Sequence, residues 1–382
     1  MIYMDHAATT ALHPEAEQAM EPYLKECYGN PSGAYELARQ AKEAVERARR
    51  YAAKLIGARP EEIYFTSGGT ESDNWALRGV ADALSGTGKH IITTNIEHPA
   101  ILNTCRYLEK HGYEITYLQT DQEGRIEIET LRSAIREDTI LVSVMMANNE
   151  IGTIEPIREM GMLLHRMGII FHTDAVQACG QIPIDVNYLM VDLLSVSGHK
   201  LHGPKGSGFL YIRSGTPIEP LIYGGGQEGG RRSGTENVPA IVGLGEAIRI
   251  AGRTLSYRRK QVQWLRDYML WRLEKEIPGL RLNGCKMYRL PGNINISIKD
   301  IDGTKLLELL NKEGICVSAR SACHSRRGST SHVLEAIGVP EDFMNGTLRI
   351  TLGSDNTKEE VDYVADILIQ AVEQMRSRKS KN

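Results

Sequence analysis

From about residue 14 to about residue 250, short β-prone apolar runs alternate with helical stretches, and this alternation limits the possible folds more than any other feature. The pattern calls for an α/β architecture, a mostly parallel sheet with helices on both faces. Strand-like runs include residues 63–66, 90–94, 142–147 and 169–173, and helical candidates include 14–27, 35–56 and 156–167. Within 35–56, Glu43 and Glu46 stand four residues before Arg47 and Arg50, a spacing that supports a helix surface. A long polar helical stretch, 238–276, carries the chain onward, and its charged part, 257–272, reads as a solvated helix face. Strand-like 293–298 and 348–352 and helical 302–311 and 357–375 then describe a smaller α+β domain. The expected division is a large domain over 14–250 and a small domain made of 1–13 and 251–382.

Open α/β sheets bind ligands outside the carboxyl ends of their strands, so the chemistry is sought there. The segment His172-Thr173-Asp174-Ala175-Val176-Gln177 puts an aspartate at one strand end. Further on, Ser197-Gly198-His199-Lys200 precedes the rigid turn Gly203-Pro204-Lys205-Gly206-Ser207-Gly208. A hydroxyl and an imidazole directly before a lysine are the layout of a Schiff-base lysine for pyridoxal phosphate. That cofactor binds a lysine amine, its phosphate takes hydroxyl and imidazole donors, and its ring nitrogen stays protonated only beside a buried carboxylate. Lys200 is then the imine lysine, Asp174 the ring-nitrogen partner, and Ser197 and His199 part of the phosphate cup. A lone lysine is usually a surface charge, and it is the combination that carries this assignment. Nucleotide binding is disfavoured, because Lys205-Gly206-Ser207 reverses the order that a P-loop needs.

Other turns supply further candidates. Phe65-Thr66-Ser67-Gly68-Gly69-Thr70-Glu71-Ser72 leads from a strand into a helix, so amides at Gly69 and Thr70 face outward as a phosphate site, unless the turn is only a capped one. His98, in Glu97-His98-Pro99-Ala100, follows the 90–94 run and is suited to stack on a pyridine ring and move protons. Elsewhere such a histidine is a capping or core residue. Asn149 and Gln177 are placed to hydrogen-bond the cofactor's phenolic oxygen and the substrate, although asparagine after a strand also serves plain turns. The loop 224–235, dense in glycine and carrying Arg231 and Arg232, is costly in entropy unless backbone must approach something closely.

Six cysteines, at 27, 105, 179, 285, 316 and 323, show no disulfide framework and suit a reducing compartment. Cys316 lies in an apolar run and reads as a buried hydrophobe. Cys323 instead lies in a small, polar segment with His324, Arg326 and Arg327 close by, which favours a reactive thiolate. Cys316, Cys323, His324 and His332 do not make a zinc motif, since neither Cys-x-x-Cys nor a helical histidine pair is present, and no metal site is expected.

Taken together, these residues resemble the cysteine desulfurases of the class V aminotransferase group. The resemblance runs from Tyr3-Met4-Asp5-His6-Ala7-Ala8-Thr9-Thr10 through Asn30-Pro31-Ser32, the Thr70, His98 and Asn149 turns and the Lys200 motif. It continues through Arg231 to Thr235, Ser321-Ala322-Cys323 and Arg349-Ile350-Thr351-Leu352-Gly353. It implies the type I fold of pyridoxal phosphate aminotransferases. It also implies that Thr70, Ser197 and His199 bind phosphate, Gln177 the phenolic oxygen, and Thr235 the phosphate of a neighbouring subunit in a homodimer. His98 would stack on the cofactor, Asn149 and Arg349 would hold the substrate carboxylate, and Cys323 would accept sulfur as a persulfide. The expected reaction is L-cysteine to L-alanine, with sulfur passed to an acceptor protein for iron–sulfur assembly or tRNA thiolation, where the Cys323 persulfide would transiently meet a cluster.

Two departures stand out. Gly33-Ala34-Tyr35 replaces the family's small residue and histidine, and Arg326-Arg327 with Gly328-Ser329-Thr330-Ser331 replaces its usual Leu-Glu-Pro-Ser run. A selenocysteine lyase or another class V enzyme would share the cofactor apparatus; a non-enzymatic scaffold would be expected to lose Lys200, Asp174 or Cys323, and all three are present. The net charge of −3 gives no nucleic-acid footprint, and no apolar run approaches the roughly 20 residues of a membrane span. With a strand-like start rather than a signal sequence, a cytoplasmic enzyme is expected.

Overall fold

The structure, a computed structural model, describes residues 1–319 and 331–379. It opens with a two-residue strand, β1 (Ile2–Tyr3). The large sheet comprises β2 (Ile63–Thr66), β3 (His90–Thr94), β4 (Glu114–Leu118), β5 (Thr139–Ser143), β6 (Ile170–Asp174), β7 (Leu193–Ser197) and β8 (Gly208–Ile212). Their order is β2-β8-β7-β6-β5-β3-β4, and only β8 runs against the rest. β3, β5, β7 and β8 are buried along their whole length, as a sheet covered on both faces requires. The edge strand β4 is more open, and its Glu114 pairs with Arg136.

The strand expected at 142–147 is displaced, since β5 starts at Thr139 and regular pairing ends at Ser143. Residues 144–147 are apolar because they are buried, not because they continue the strand. The Val144 and Met146 N–H groups still donate to the His172 and Asp174 carbonyls before the chain turns away to bridge Ala147 with Ile154.

Helices Pro14–Lys25, Glu36–Ile56 and Ile157–Met167 occupy the expected stretches. The ion pairing on Glu36–Ile56 differs: Glu46 accepts from Arg49 at 3.1 Å, three residues on. Arg49 points inward and also forks across the Glu228 carboxylate, with both contacts at 2.8 Å. Both side chains are nearly buried, 10% and 3% exposed, so the pair pins the glycine-rich loop to the large core. Glu228→Ala would strand a buried guanidinium, and a loss of about 3–5 kcal/mol is expected as a lower urea midpoint. An unchanged midpoint would show that the loop is not held this way.

Four further strands, β9 (Leu280–Leu282), β10 (Asn293–Ile298), β11 (Ile315–Cys316) and β12 (Thr347–Thr351), build the smaller unit. β10 is the centre of an antiparallel sheet with β9 and β12, while β11 pairs in parallel with β1. Its core gathers Ile294, Ile296, Leu348 and Ile350 with Met4 from the start of the chain. One helix, Val238–Glu276, joins the two units. Ile241, Leu244 and Ile248 pack on the large core, Leu265, Met269 and Leu273 on the small one, and none of residues 252–261 is buried. The stretch 257–272 is therefore not a solvated face throughout, for Arg266 is buried and donates to Leu290 O at 3.0 Å. No described helix is long and apolar enough to cross a membrane.

Candidate active site

A cleft of about 240 Å³ opens at the carboxyl ends of β6 and β7, between the start of helix Gly69–Ala83 and Ala7-Ala8 of the first segment. Gly69, Thr70, His98, Asn149, Asp174, Gln177, Ser197, His199, Lys200 and Arg349 all line it. These residues come from six places in the sequence; the parallel strands of the large sheet bring their ends to one edge, and β12 adds Arg349 from the small sheet. Thr235 lies elsewhere, in a second cleft beside Ser67 and Arg232. It sits on the glycine-rich loop, which is also fastened by an Arg232–Glu71 ion pair of 2.8 Å. Cys323, with Ser321 and Ala322, lies outside the described residues.

Lys200 ends the short turn Gly198–Lys200, and its Nζ donates to Ala7 O at 2.5 Å and Ala8 O at 2.8 Å. Asp174, the last residue of β6, is buried, and its Oδ1 accepts the Val176 N–H at 2.8 Å. Burial pushes its pKa up, while His98 and Lys200 draw it back towards the charged form. His98 caps the helix Pro99–Glu109, its Nδ1 accepting the Ala100 N–H at 3.2 Å. Burial lowers its pKa, so the ring is neutral near pH 7 and its proton resides on Nε2. His199 lies with Nδ1 3.1 Å from Thr9 Oγ1, and burial aided by Lys200 lowers its pKa to about 4.

The phosphate end is shaped by close packing. A Cβ at Gly69 would stand 2.7 Å from Val176 Cγ2, so the helix N-terminus can lie against the turn after Asp174 only with glycine there. Across the cleft, Gln177 donates to Ala7 O at 3.1 Å. Arg349, on β12, donates through Nη1 to Asn149 O at 3.0 Å and through Nη2 to Asp5 Oδ1 at 2.9 Å. Its Nε is buried and has no partner among the described residues, a donor left for an incoming acceptor.

Four acidic or basic groups of the cleft and its walls escaped the sequence reading. Asp73, Glu150 and His332 line the cleft, and Glu97 lies buried behind His98. Asp73 follows Gly69 by one helical turn, and its carboxyl is held well above the usual range by burial and by the nearby Asp174. Glu97 accepts from Thr94 Oγ1 at 2.8 Å and Met145 N at 2.9 Å, and burial raises its pKa to about 8. The available signal was weak: an aspartate on the otherwise apolar stripe of Ala76, Leu77 and Val80.

Behind the cleft His172 lies between Ser143 Oγ at 2.9 Å and Ser195 Oγ at 3.0 Å, with Asp73 Oδ1 3.7 Å away. Burial depresses its pKa to about 3. The unfolded chain would take up that proton near pH 6.5, the folded one only near 3, so stability is full above 6.5 and falls as pH drops through this window. Urea midpoints of the parent are expected to decline more steeply over that range than those of His172→Gln. Parallel declines would remove His172 as the cause.

The aminotransferase class-V family matches residues 2–364 of the chain. The chain is 51% identical over 376 residues to the cysteine desulfurase IscS of Methanosarcina thermophila, covering 98% of this chain and 93% of that protein. A solved NifS-like protein is 41% identical with a TM-score of 0.92, covering 97% of this chain and 99% of that one. A solved structure of SspA in complex with cysteine is 35% identical with a TM-score of 0.83, over 94% and 100% of the two chains.

Proposed function

Since this chain belongs to the aminotransferase class-V family and, within it, to the cysteine desulfurases, we propose that its Lys200 cleft converts L-cysteine to L-alanine and passes the sulfur to Cys323. The observation that carries the reading is the convergence, in one cleft, of the Lys200 amine, the buried Asp174 carboxylate and the unpartnered Arg349 Nε.

The residues present fit pyridoxal phosphate. Asp174 offers the buried carboxylate its ring nitrogen needs, Gln177 and Asn149 offer amides, and the start of Gly69–Ala83 with Thr70, Ser197 and His199 offers donors for its phosphate. When bound, the cofactor supplies a sink for the electron pair released at the substrate α-carbon. Arg349 orients the substrate carboxylate, since Nε is the one nitrogen of its fork not already engaged within the described chain. Lys200 Nζ moves the α-proton, steadied by the Ala7 and Ala8 carbonyls, and neutral His98 is the second group able to hold a proton there. Cys323, as thiolate, attacks the substrate sulfur: the new S–S bond forms as the Cβ–S bond breaks. Protons return to carbon, so cysteine plus thiol gives alanine plus persulfide.

We also assign Thr235 to the phosphate end of a partner subunit's cleft, because its own loop is pinned away from Lys200. The enzyme is then a homodimer, and sedimentation should show cofactor absorbance leaving on dilution to monomer; a fully active monomer would exclude the shared site. A reducing cytoplasm suits its free cysteines, and an iron–sulfur scaffold or tRNA-thiolating enzyme suits as sulfur acceptor. The deciding experiment incubates the cofactor-loaded protein with L-cysteine and a reductant. Alanine and sulfide are expected in equal amounts. Turnover of selenocysteine alone would make it a selenocysteine lyase instead.

A further inference from the structure

We infer that His6, His202 and Asp355 form a binding site for a divalent transition metal, zinc in the first instance. One ligand atom from each lies within 4.8 Å of the other two. Donors bound at about 2.0–2.1 Å to a common ion stand at most about 4 Å apart, so an inward movement of under about 1 Å completes the set. Asp355 is exposed and able to make that movement.

His6 is the stronger observation. It is 8% exposed, yet neither Nδ1 nor Nε2 makes a well-formed hydrogen bond among the described residues, the Tyr3 backbone and the Asn356 side chain being its polar neighbours. Burying both imidazole nitrogens without partners is costly, and a cation ligated by one of them relieves that cost. Asn356 stands nearby, but its carbonyl accepts from Gly353 N at 2.8 Å and its amide donates to Tyr3 O and Glu360, each at 3.0 Å. The ring is also wedged, since a Cβ at Gly353 would come within 2.4 Å of Cε1.

His202 is prepared as a ligand in a different way. Its Nδ1 lies 3.0 Å from Ala11 O, a contact that fixes the ring and leaves Nε2 as the metal donor. Its backbone sits at φ 64°, uncommon for a residue with a side chain, and is held there by its N–H donating to Thr10 Oγ1 at 2.8 Å. Two imidazoles and one carboxylate suit zinc or iron(II) better than calcium or magnesium. Arg258 is the cation that faces Asp355 and His202; its Nη2 donates to Gly180 O at 2.7 Å and its Nε has no partner among the described residues, so a bound ion would have to take over Asp355 from it.

The donors come from the segment that steadies Lys200, from two residues beyond Lys200, and from the turn after β12, which carries Arg349. A bound ion would tie these three together, at positions too far apart in sequence to make a motif. The site does not depend on the reaction proposed for the cleft.

The test uses the cofactor-loaded enzyme and Co²⁺ as a spectroscopic probe, with Zn²⁺ as competitor. One Co²⁺ per chain is expected, displaced by Zn²⁺, with a nitrogen and oxygen ligand-field spectrum and no thiolate charge-transfer band. Asp355→Asn, at an exposed position, should weaken binding about tenfold or more, and His6→Gln should remove it. Co²⁺ should raise the thermal midpoint of the parent but not of His6→Gln. Absence of binding, a thiolate band, or affinity unchanged in both variants would overturn the site.

Discussion

Lys200→Ala enzyme is expected to form alanine from L-cysteine at about a thousandth of the parent rate or less. The amine is the group assigned to move the α-proton, and a positioned proton-transfer group alone contributes about 10²–10⁴-fold. Its loss also removes the covalent hold on the cofactor, while Asp174 and the phosphate donors remain in place. Borohydride treatment of the parent, followed by peptide mapping, should put a pyridoxyl label on Lys200, and the variant should take none. A label on Lys205 would overturn the assignment, because Lys205 lies beyond the Gly203-Pro204 turn and does not line the cleft.

Cys323→Ala should separate cofactor chemistry from sulfur chemistry. Under the proposed roles, binding of pyridoxal phosphate and of cysteine uses Asp174, Lys200, His98 and Arg349, which line the cleft, so the cofactor spectrum and its response to L-cysteine should survive the substitution. Alanine release should fall by about 10³-fold or more, because the carbon–sulfur bond breaks only when a thiolate takes the sulfur. Three of the other five cysteines are poor substitutes: burial pushes Cys105 and Cys179 towards the inert thiol, and Cys316 is confined within β11. In the parent, the peptide containing Cys323 should gain the mass of one sulfur after exposure to cysteine and lose it to reductant. Alanine formed by the variant at the parent rate would make Cys323 a structural residue.

That Asp174, Ser197 and Lys200 meet in one cleft was legible because they belong to local patterns at strand ends. Asp174 and Ser197 close β6 and β7, and a run of β-formers followed by a polar residue carries that information within a short window. The length of β5 was not legible, because Val144, Met145 and Met146 are as apolar as strand residues and burial alone cannot reveal who pairs with whom. Helical spacing could place Glu46 beside both Arg49 and Arg50, but it could not say that Arg49 turns inward to meet Glu228, a partner 179 residues away. Asp73, Glu97 and His332 were missed for the same reason. Each acquires meaning from neighbours that the chain brings near only after folding.

The pairing of β1 with β11 bears on the order in which the molecule can be made. Ala7 and Ala8, whose carbonyls hold Lys200, belong to a segment fastened by Ile2 to Ile315, by Met4 to Cys316, and by Asp5 to Arg349. Synthesis delivers that segment before its anchors. A nascent chain that has emerged only as far as β10 holds the whole large sheet, and residues 7–10 already have Gln177, His199, Lys200 and His202 to bond, but residues 2–5 lack their partners until a loop of about 300 residues closes. The β1–β11 pairing and the Asp5–Arg349 contact, which close the Arg349 side of the cleft, thus form only after the small unit has been made.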